Sequence, residues 1–170
     1  MALAPILLLC CAVDAATVHT PPPGWFKPSM LPPQQVADTM RKVTESPSTF
    51  VVVDGNNVRG KVNFRLSKMQ LADLLSTWAA QHCLSDNVLV CWDHGQQSEA
   101  VVWRGVCHTF AGPRRSADDV IATEALPHLL SSGCDRVWVV TADRELLWRC
   151  KAAADAAEGL RGRLRFMGTR

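Results

Sequence analysis

The chain has 170 residues, of which 48% are hydrophobic, and a formal net charge of +2. One folded domain with its own core is expected, global disorder is excluded, and the charge is too small for a polybasic nucleic-acid binder, so any basic surface must be local. The seven cysteines, at 10, 11, 83, 91, 107, 134 and 150, form no CxxC pair, which argues against a zinc site. Those beyond the first two are read as small buried hydrophobes rather than a disulfide framework.

At the amino terminus, MALAPILLLCCAVDAA carries an apolar run from Ile6 to Val13 of signal-peptide length. Val13-Asp14-Ala15 offers a cleavage site, although no Lys or Arg precedes the run. The run is too short to span a bilayer. The proline-punctuated stretch TVHTPPPGWFKPSMLPPQQ that follows is an extended linker. Residues 1–31 are therefore read as a targeting leader and Pro-rich linker, and residues 32–170 as the folded domain. The competing reading is a loosely packed leader. The mature form is expected to hold no membrane segment. An organelle such as a plastid is the preferred destination, ahead of secretion or the cytoplasm, because five unpaired cysteines sit poorly with secretion.

A short helix is predicted over Gln34–Glu45, stopped before Pro47. Thr49–Asp54 follows as a strand whose run Val51-Val52-Val53 reads as buried, yet it ends on an acid, where a charge is costly unless paired. Asp54-Gly55-Asn56 is either turn chemistry, or Asp54 marks a carboxyl strand end that holds a ligand or metal. Ser67–Cys83 is the clearest helix, with Leu71, Leu74, Leu75, Trp78, Ala79 and His82 on one face. Further strands are predicted over Asn87–Asp93 and Val106–Ala111, with a short piece at Ala100–Trp103 between them. A helix over Ser116–Ser131 is expected to kink or break near Pro127. Then come a strand over Arg136–Thr141, a helix over Ala142–Ala157 ended near Gly159, and a strand over Arg163–Met167. Strands separated by helices imply an α/β chain with a mainly parallel central sheet and helices on both faces, a Rossmann-like layering.

In a parallel sheet all carboxyl strand ends share one edge, where ligands bind. Asp54 ends the first strand, Asp93 the second, Asp118 and Asp119 open the helix after the third, and Asp143 lies just past the fourth. Each has a bland role available. Ser116-x-x-Asp119 is a capping box, Asp118 suits the helix dipole, and Asp143 can cap the helix it begins. Their convergence on one edge is what points to chemistry. Clustered carboxylates repel unless a cation neutralises them, and hard oxygen donors suit Mg²⁺ or Mn²⁺. Such ions bind phosphate oxygens and activate water, so phosphodiester cleavage is the simplest reaction. No GxxxxGKS, GxGxxG or GxSxG motif supports a nucleotide-triphosphate, redox or serine-hydrolase reading.

The blocks VVVDGNNVRG at 51–60, CWDHG at 91–95, RSADDVI at 115–121 and VVTADREL at 139–146 together resemble the NYN domain of the YacP-like ribonucleases, within the PIN-like nuclease superfamily. The resemblance runs in order from about Thr49 to the carboxyl terminus. It implies a compact three-layer α/β/α sandwich, PIN-like, and a metal-dependent endoribonuclease acting with Mg²⁺ or Mn²⁺. By position, Asp54, Asp118, Asp119 and Asp143 match the acidic metal-binding set, Asn57 the polar residue that accompanies the first Asp, and Asp93 an accessory acid. Single-stranded RNA is the expected partner; bacterial members are linked to ribosome-associated mRNA cleavage, which leaves the ribosome a candidate partner without implying that this chain shares that target.

Arg59, Lys61, Arg114, Arg115 and Arg144 flank the acidic edge in sequence and are candidate phosphate contacts, or ordinary solvated charges. Trp92 and Trp103 are read as core rather than base-stacking residues, His94 as a structural histidine rather than a proton relay, and His82 as core or half-buried. The expected arrangement has Asp54, Asp119 and Asp143 holding one or two divalent ions with Asp118 beside them. Two other readings stand against it. One is a catalytically silent RNA-binding module of the same fold; the other is a phosphoacceptor domain using Asp93, which would need paired acids after the first strand.

Overall fold

The computed structural model describes residues 49–95, 98–157 and 161–168. The leader and linker of residues 1–31, the helix expected over Gln34–Glu45 and the stop near Gly159 lie outside the described residues. The elements run β1 (Thr49–Asp54), α1 (Gly55–Lys61), α2 (Lys68–Gln81), β2 (Val88–Trp92), β3 (Glu99–Trp103) and β4 (Val106–Phe110). After them come α3 (Ala117–Asp119), a π-helical stretch (Val120–Ala125), α4 (Leu126–Ser131), β5 (Arg136–Val140), α5 (Arg144–Ala156), a 3₁₀ turn (Arg161–Arg163) and β6 (Leu164–Met167).

The six strands form one sheet in the order β3-β4-β2-β1-β5-β6. All neighbours pair in parallel except β3 and β4. β1 is central, with Val52 opposite Leu89 of β2 and Val139 of β5. Its β-branched run is buried throughout, as a strand covered on both faces must be. Successive side chains point to opposite faces. Phe50 and Val52 join Leu89, Cys91, Val139 and the apolar side of residues 117–130 and of α5 in one core. Val51 and Val53 join Val90, Trp92, Phe110, Leu71 and Ala79 in a second core under α2. This mixed α/β fold, with a mostly parallel sheet, is compatible with a three-layer α/β/α sandwich. No described helix is long and apolar enough to cross a membrane.

Several local expectations change. The DGNN stretch is not a turn: Asp54 is the N-cap of α1, its side chain accepting from the Asn57 backbone N–H. β3 and β4 form an antiparallel hairpin whose two linking residues, Arg104 and Gly105, have φ of 46° and 76°, the primed-turn geometry that matches strand twist. The helix around Pro127 is not broken. Proline lacks an N–H and crowds the carbonyl four residues back, and the chain widens into a π stretch just upstream, where the Leu126 N–H reaches the Ile121 carbonyl. On α2 the buried positions are Leu71, Ala72, Ser76 and Ala79, so Leu74 is exposed. His82, expected in or near the core, is exposed at the C-cap, its ring 5.2 Å from Trp78. Cys91, Cys107, Cys134 and Cys150 are buried free thiols, as small hydrophobes; Cys83 is free but exposed.

Gly55 is demanded by packing. A Cβ there would stand 2.6 Å from the Trp92 ring, and Trp92 is fully buried. Gly55→Ala should therefore lower stability by about 1–3 kcal/mol through overpacking. Gly162→Ala, with nothing near its Cβ position, should stay within about 0.5 kcal/mol of the parent. Urea unfolding followed by Trp fluorescence checks both, and an unchanged midpoint for Gly55→Ala would refute the packing account.

Candidate functional site

In this sheet the strand order reverses direction at β1: β2 and β4 lie to one side, β5 and β6 to the other. The carboxyl ends of β1 and β5 therefore flank a topological switch point, where open α/β sheets bind ligands. Asp54 occupies it, only 5% exposed. One carboxylate oxygen accepts from the Asn57 N–H at 3.0 Å and the other from the buried Thr141 hydroxyl, also at 3.0 Å. Thr141 lies directly after β5, so this second bond spans the switch point. Burial pushes the Asp54 pKa up against these two bonds, and the charges of Asp93 and Asp143 push it further.

The neighbouring loops bring three more acids. Asp143 caps α5, accepting from the N–H groups of Glu145 at 2.8 Å and Leu146 at 3.2 Å. Its own N–H donates to the Thr141 hydroxyl oxygen at 3.1 Å. Asn57 accepts from the Ala142 N–H at 2.9 Å, pinning α1 to the same loop. Asp93, past the end of β2, accepts from the Asn56 amide at 2.6 Å and from the Ala117 N–H at 2.7 Å, which ties the start of α3 to the site. Asp118 is half-buried, and its carboxylate accepts no hydrogen bond among the described residues. Burial, followed by the charges of Asp54 and Asp143, raises its pKa to about 6, against relief from Arg149.

Asp119 behaves differently. It completes the Ser116 capping box, accepting from the Ser116 N–H at 3.1 Å, and pairs with Arg149 at 2.8 Å. Arg149 and then Ser116 hold its pKa down at about 2. Of the five acids expected on one edge, Asp93 and Asp143 act on both Asp54 and Asp118, whereas Asp119 accepts from Ser116 and pairs with Arg149.

The basic residues divide as well. Lys61, Arg114 and Arg144 are exposed. Arg115 is paired with Glu124, and the Arg59 Nε donates to the Leu66 carbonyl at 2.8 Å. Trp92 is core, its indole N–H donating to His108 at 3.2 Å. Trp103 pairs with Val106 at the opposite end of the sheet from the acids and donates to Asp73 at 3.0 Å. His94 is exposed, at φ 59°. Four polar residues of the site carried no distinct signal: Asn56, Thr141, Lys68 and Arg149. Lys68 lies over the Trp92 and Phe110 rings at 5.4 and 5.5 Å and feels the charge of Asp93.

Among the described residues no three His, Cys, Asp or Glu side chains close round one point as a ready cage for an ion. The donor chemistry still fits Mg²⁺ or Mn²⁺, since Mg²⁺ keeps several waters and is held by one or two carboxylates. Asp54 and Asp143 are the residues that would hold it, with Asp118 beside them; burial first, and then the charges of the neighbouring acids, raises the pKa of Asp54 and of Asp118. Neither a family model, nor a curated protein, nor a solved structure matches the chain.

The two adjacent acids should respond oppositely to substitution. The folded pKa of Asp118, about 6, lies above the ordinary 3.8, so its contribution is present below 3.8 and lost as pH rises through 6. Asp118→Asn should therefore stabilise the metal-free protein at pH 7.5, by about 1 kcal/mol after allowing for solvent screening, and leave it unchanged near pH 3.5. For Asp119 the folded value of about 2 lies below 3.8, so its contribution is present above 3.8 and lost as pH falls through 2. Asp119→Ala should cost about 1 kcal/mol at pH 7.5 through its cap and ion pair. Thermal melts in EDTA across pH check both, and a destabilised Asp118→Asn would contradict the cost assigned to burying this charge among its acidic neighbours.

Proposed function

We propose that the chain is a metal-dependent endoribonuclease with a PIN-like, NYN-type domain, hydrolysing phosphodiester bonds of single-stranded RNA. The observation that carries this reading is the meeting of Asp54, Asp93, Asp118 and Asp143, from four different parts of the chain, around one switch point where their charges act on one another. A purely structural set of caps has no reason to gather like charges round one buried carboxylate, since each raises the cost of the others.

When bound, Mg²⁺ or Mn²⁺ supplies Lewis acidity toward the phosphoryl oxygens and lowers the pKa of water. Asp54 and Asp143 are held rigidly for that role, Asp54 by Thr141 and Asn57 and Asp143 by the first turn of α5. Asp118 is the least restrained carboxylate and the one suited to accept a proton from the attacking water. Attack by water on phosphorus, with the bond to the ribose 3′-oxygen breaking and that oxygen taking up a proton, leaves 5′-phosphate and 3′-hydroxyl ends. Lys61, Arg114 and Arg144, exposed on the flanks, are suited to phosphate contacts that position a strand without reading its bases. Asp119 and Arg115 serve the scaffold in this reading.

The lack of a ready ion cage among the described residues favours a second reading, a silent RNA-binding module of the same fold. Incubation of the full chain with a 5′-labelled single-stranded RNA separates the two. Cleavage is expected in Mn²⁺ and none in EDTA. Asp54→Asn, whose one amide oxygen can still accept from the Asn57 N–H while its NH₂ faces the Thr141 hydroxyl oxygen, should lose about a thousandfold in rate, equal to several kcal/mol of transition-state stabilisation. RNA that is bound but uncut in Mn²⁺ would support the silent module. Cleavage that persists in EDTA, or full activity in Asp54→Asn, would defeat the nuclease reading.

A further inference from the structure

The loop that closes α1 presents an aromatic ring that neither the cores nor the acidic site uses. At the carboxyl end of α1 the N–H groups of Val62 and Phe64 both donate to the Arg59 carbonyl, at 3.2 and 2.8 Å, and the Asn63 N–H donates to the Gly60 carbonyl at 3.0 Å. Asn63 and Phe64 both adopt the left-handed conformation, φ 53° and 55°. Asn tolerates that region and Phe rarely visits it. The side chain of Phe64 is 59% exposed. It is nonetheless fixed in place. The Arg59 guanidinium lies 5.4 Å from its ring centroid, the ring tip stands 3.6 Å from the Cβ position of Gly60, and the Arg59 Nε is anchored on the Leu66 carbonyl at 2.8 Å. An exposed ring backed by an anchored cation is a stacking plane rather than a stray surface hydrophobe.

This plane is continuous with the acidic site. The Arg59 anchor, Leu66, lies two residues before Lys68, and the Lys68 ammonium sits 5.4 Å from the ring centroid of Trp92, the residue before Asp93. The sequence Phe64, Arg59, Lys68, Asp93 is therefore a lane leading from an aromatic ring through two cations to the acids. Aromatic planes interleaved with positive charge are how proteins hold single strands, because every base has a π-face and every linkage a phosphate. A duplex cannot use such a plane, since its bases already stack on each other.

We propose that this lane is the binding subsite for a single-stranded flank of the substrate, Phe64 stacking one unpaired base and Lys68 meeting phosphate between that base and the cut. The assignment rests on the nuclease reading for the direction of the lane, but its test does not use cleavage. The full chain is titrated in EDTA against two fluorescein-labelled probes, a uridine dodecamer and an abasic strand of the same length and charge, read by anisotropy. Phe64→Ala should weaken binding of the uridine strand about tenfold, and should bind the abasic strand as the parent does. Phe64→Trp should restore the uridine affinity and Phe64→Leu, which keeps apolar area without a ring, should not. Should Phe64→Ala fail to fold, the Trp and Leu variants decide the matter alone.

Unchanged uridine binding in Phe64→Ala, an equal loss on the abasic strand, equal affinities for Phe64→Leu and Phe64→Trp, or no uridine binding by the parent would each overturn the proposal. The two readings fail separately. Base-dependent loss in Phe64→Ala with no Mn²⁺-dependent cleavage by the parent keeps the lane and removes the nuclease. Mn²⁺-dependent cleavage with Phe64 irrelevant to binding does the reverse.

Discussion

A carboxylate buried at the crossing point of the sheet organises everything around it. Asp54 can remain there only because the Thr141 hydroxyl and the Asn57 N–H satisfy it. A hydrogen bond to a charged group contributes about 1.5–3 kcal/mol, against a penalty of several for burying the charge alone. Those two bonds also join the chain's parts. Thr141 belongs to the end of β5 and Asn57 to α1, and Asn57 returns to the loop after β5 through the Ala142 N–H. Asp93 does the same on the other side, joining Asn56 of α1 to the start of α3. The geometry of Asp54, Asp93 and Asp143 is therefore set by the backbone and side-chain groups that donate to them.

The charges are balanced from the rim and not from within. Arg149 acts on Asp118 and Asp119 from α5, and Lys68, over the Trp92 and Phe110 rings, feels the charge of Asp93 from α2. Between those two cations the central acids share no counter-ion of their own among the described residues. A protein that only needed the fold would gain by replacing such a group with apolar side chains of similar volume.

Much of this was legible because two signals are local. Buried β-branched runs mark the strands, and β1 ends at Asp54 as its pattern indicated. Parallel order follows from the alternation with helices, and with it the shared edge for the acids. The division between Asp118 and Asp119 was less accessible. They are neighbours on one helical turn, so their side chains point about 100° apart, and only the partners across space decide which one faces the other acids. The capping box that Ser116 forms with Asp119 was visible; that Arg149 would complete its commitment was not. Lys68 and Arg149 lie on helices far along the chain from their partners, and nothing local marks them. α1 was hidden because Asp-Gly-Asn-Asn serves a helix start as well as a turn, and the tie-breaker, the fit of Gly55 against Trp92, is a contact between different strands' ends.

The π stretch at Val120–Ala125 separates two demands on a single helical rod. Upstream, Asp118 must be aimed at the acids; downstream, Leu126, Leu129 and Leu130 must be aimed at the core. A widened turn holds one residue more than a regular one, and so it resets the angular phase between the two ends. Shortening this stretch by one residue would return the rod to uniform winding and swing one end by roughly 100° relative to the other. The helix would then have to choose between the placement of Asp118 and the packing of its leucines.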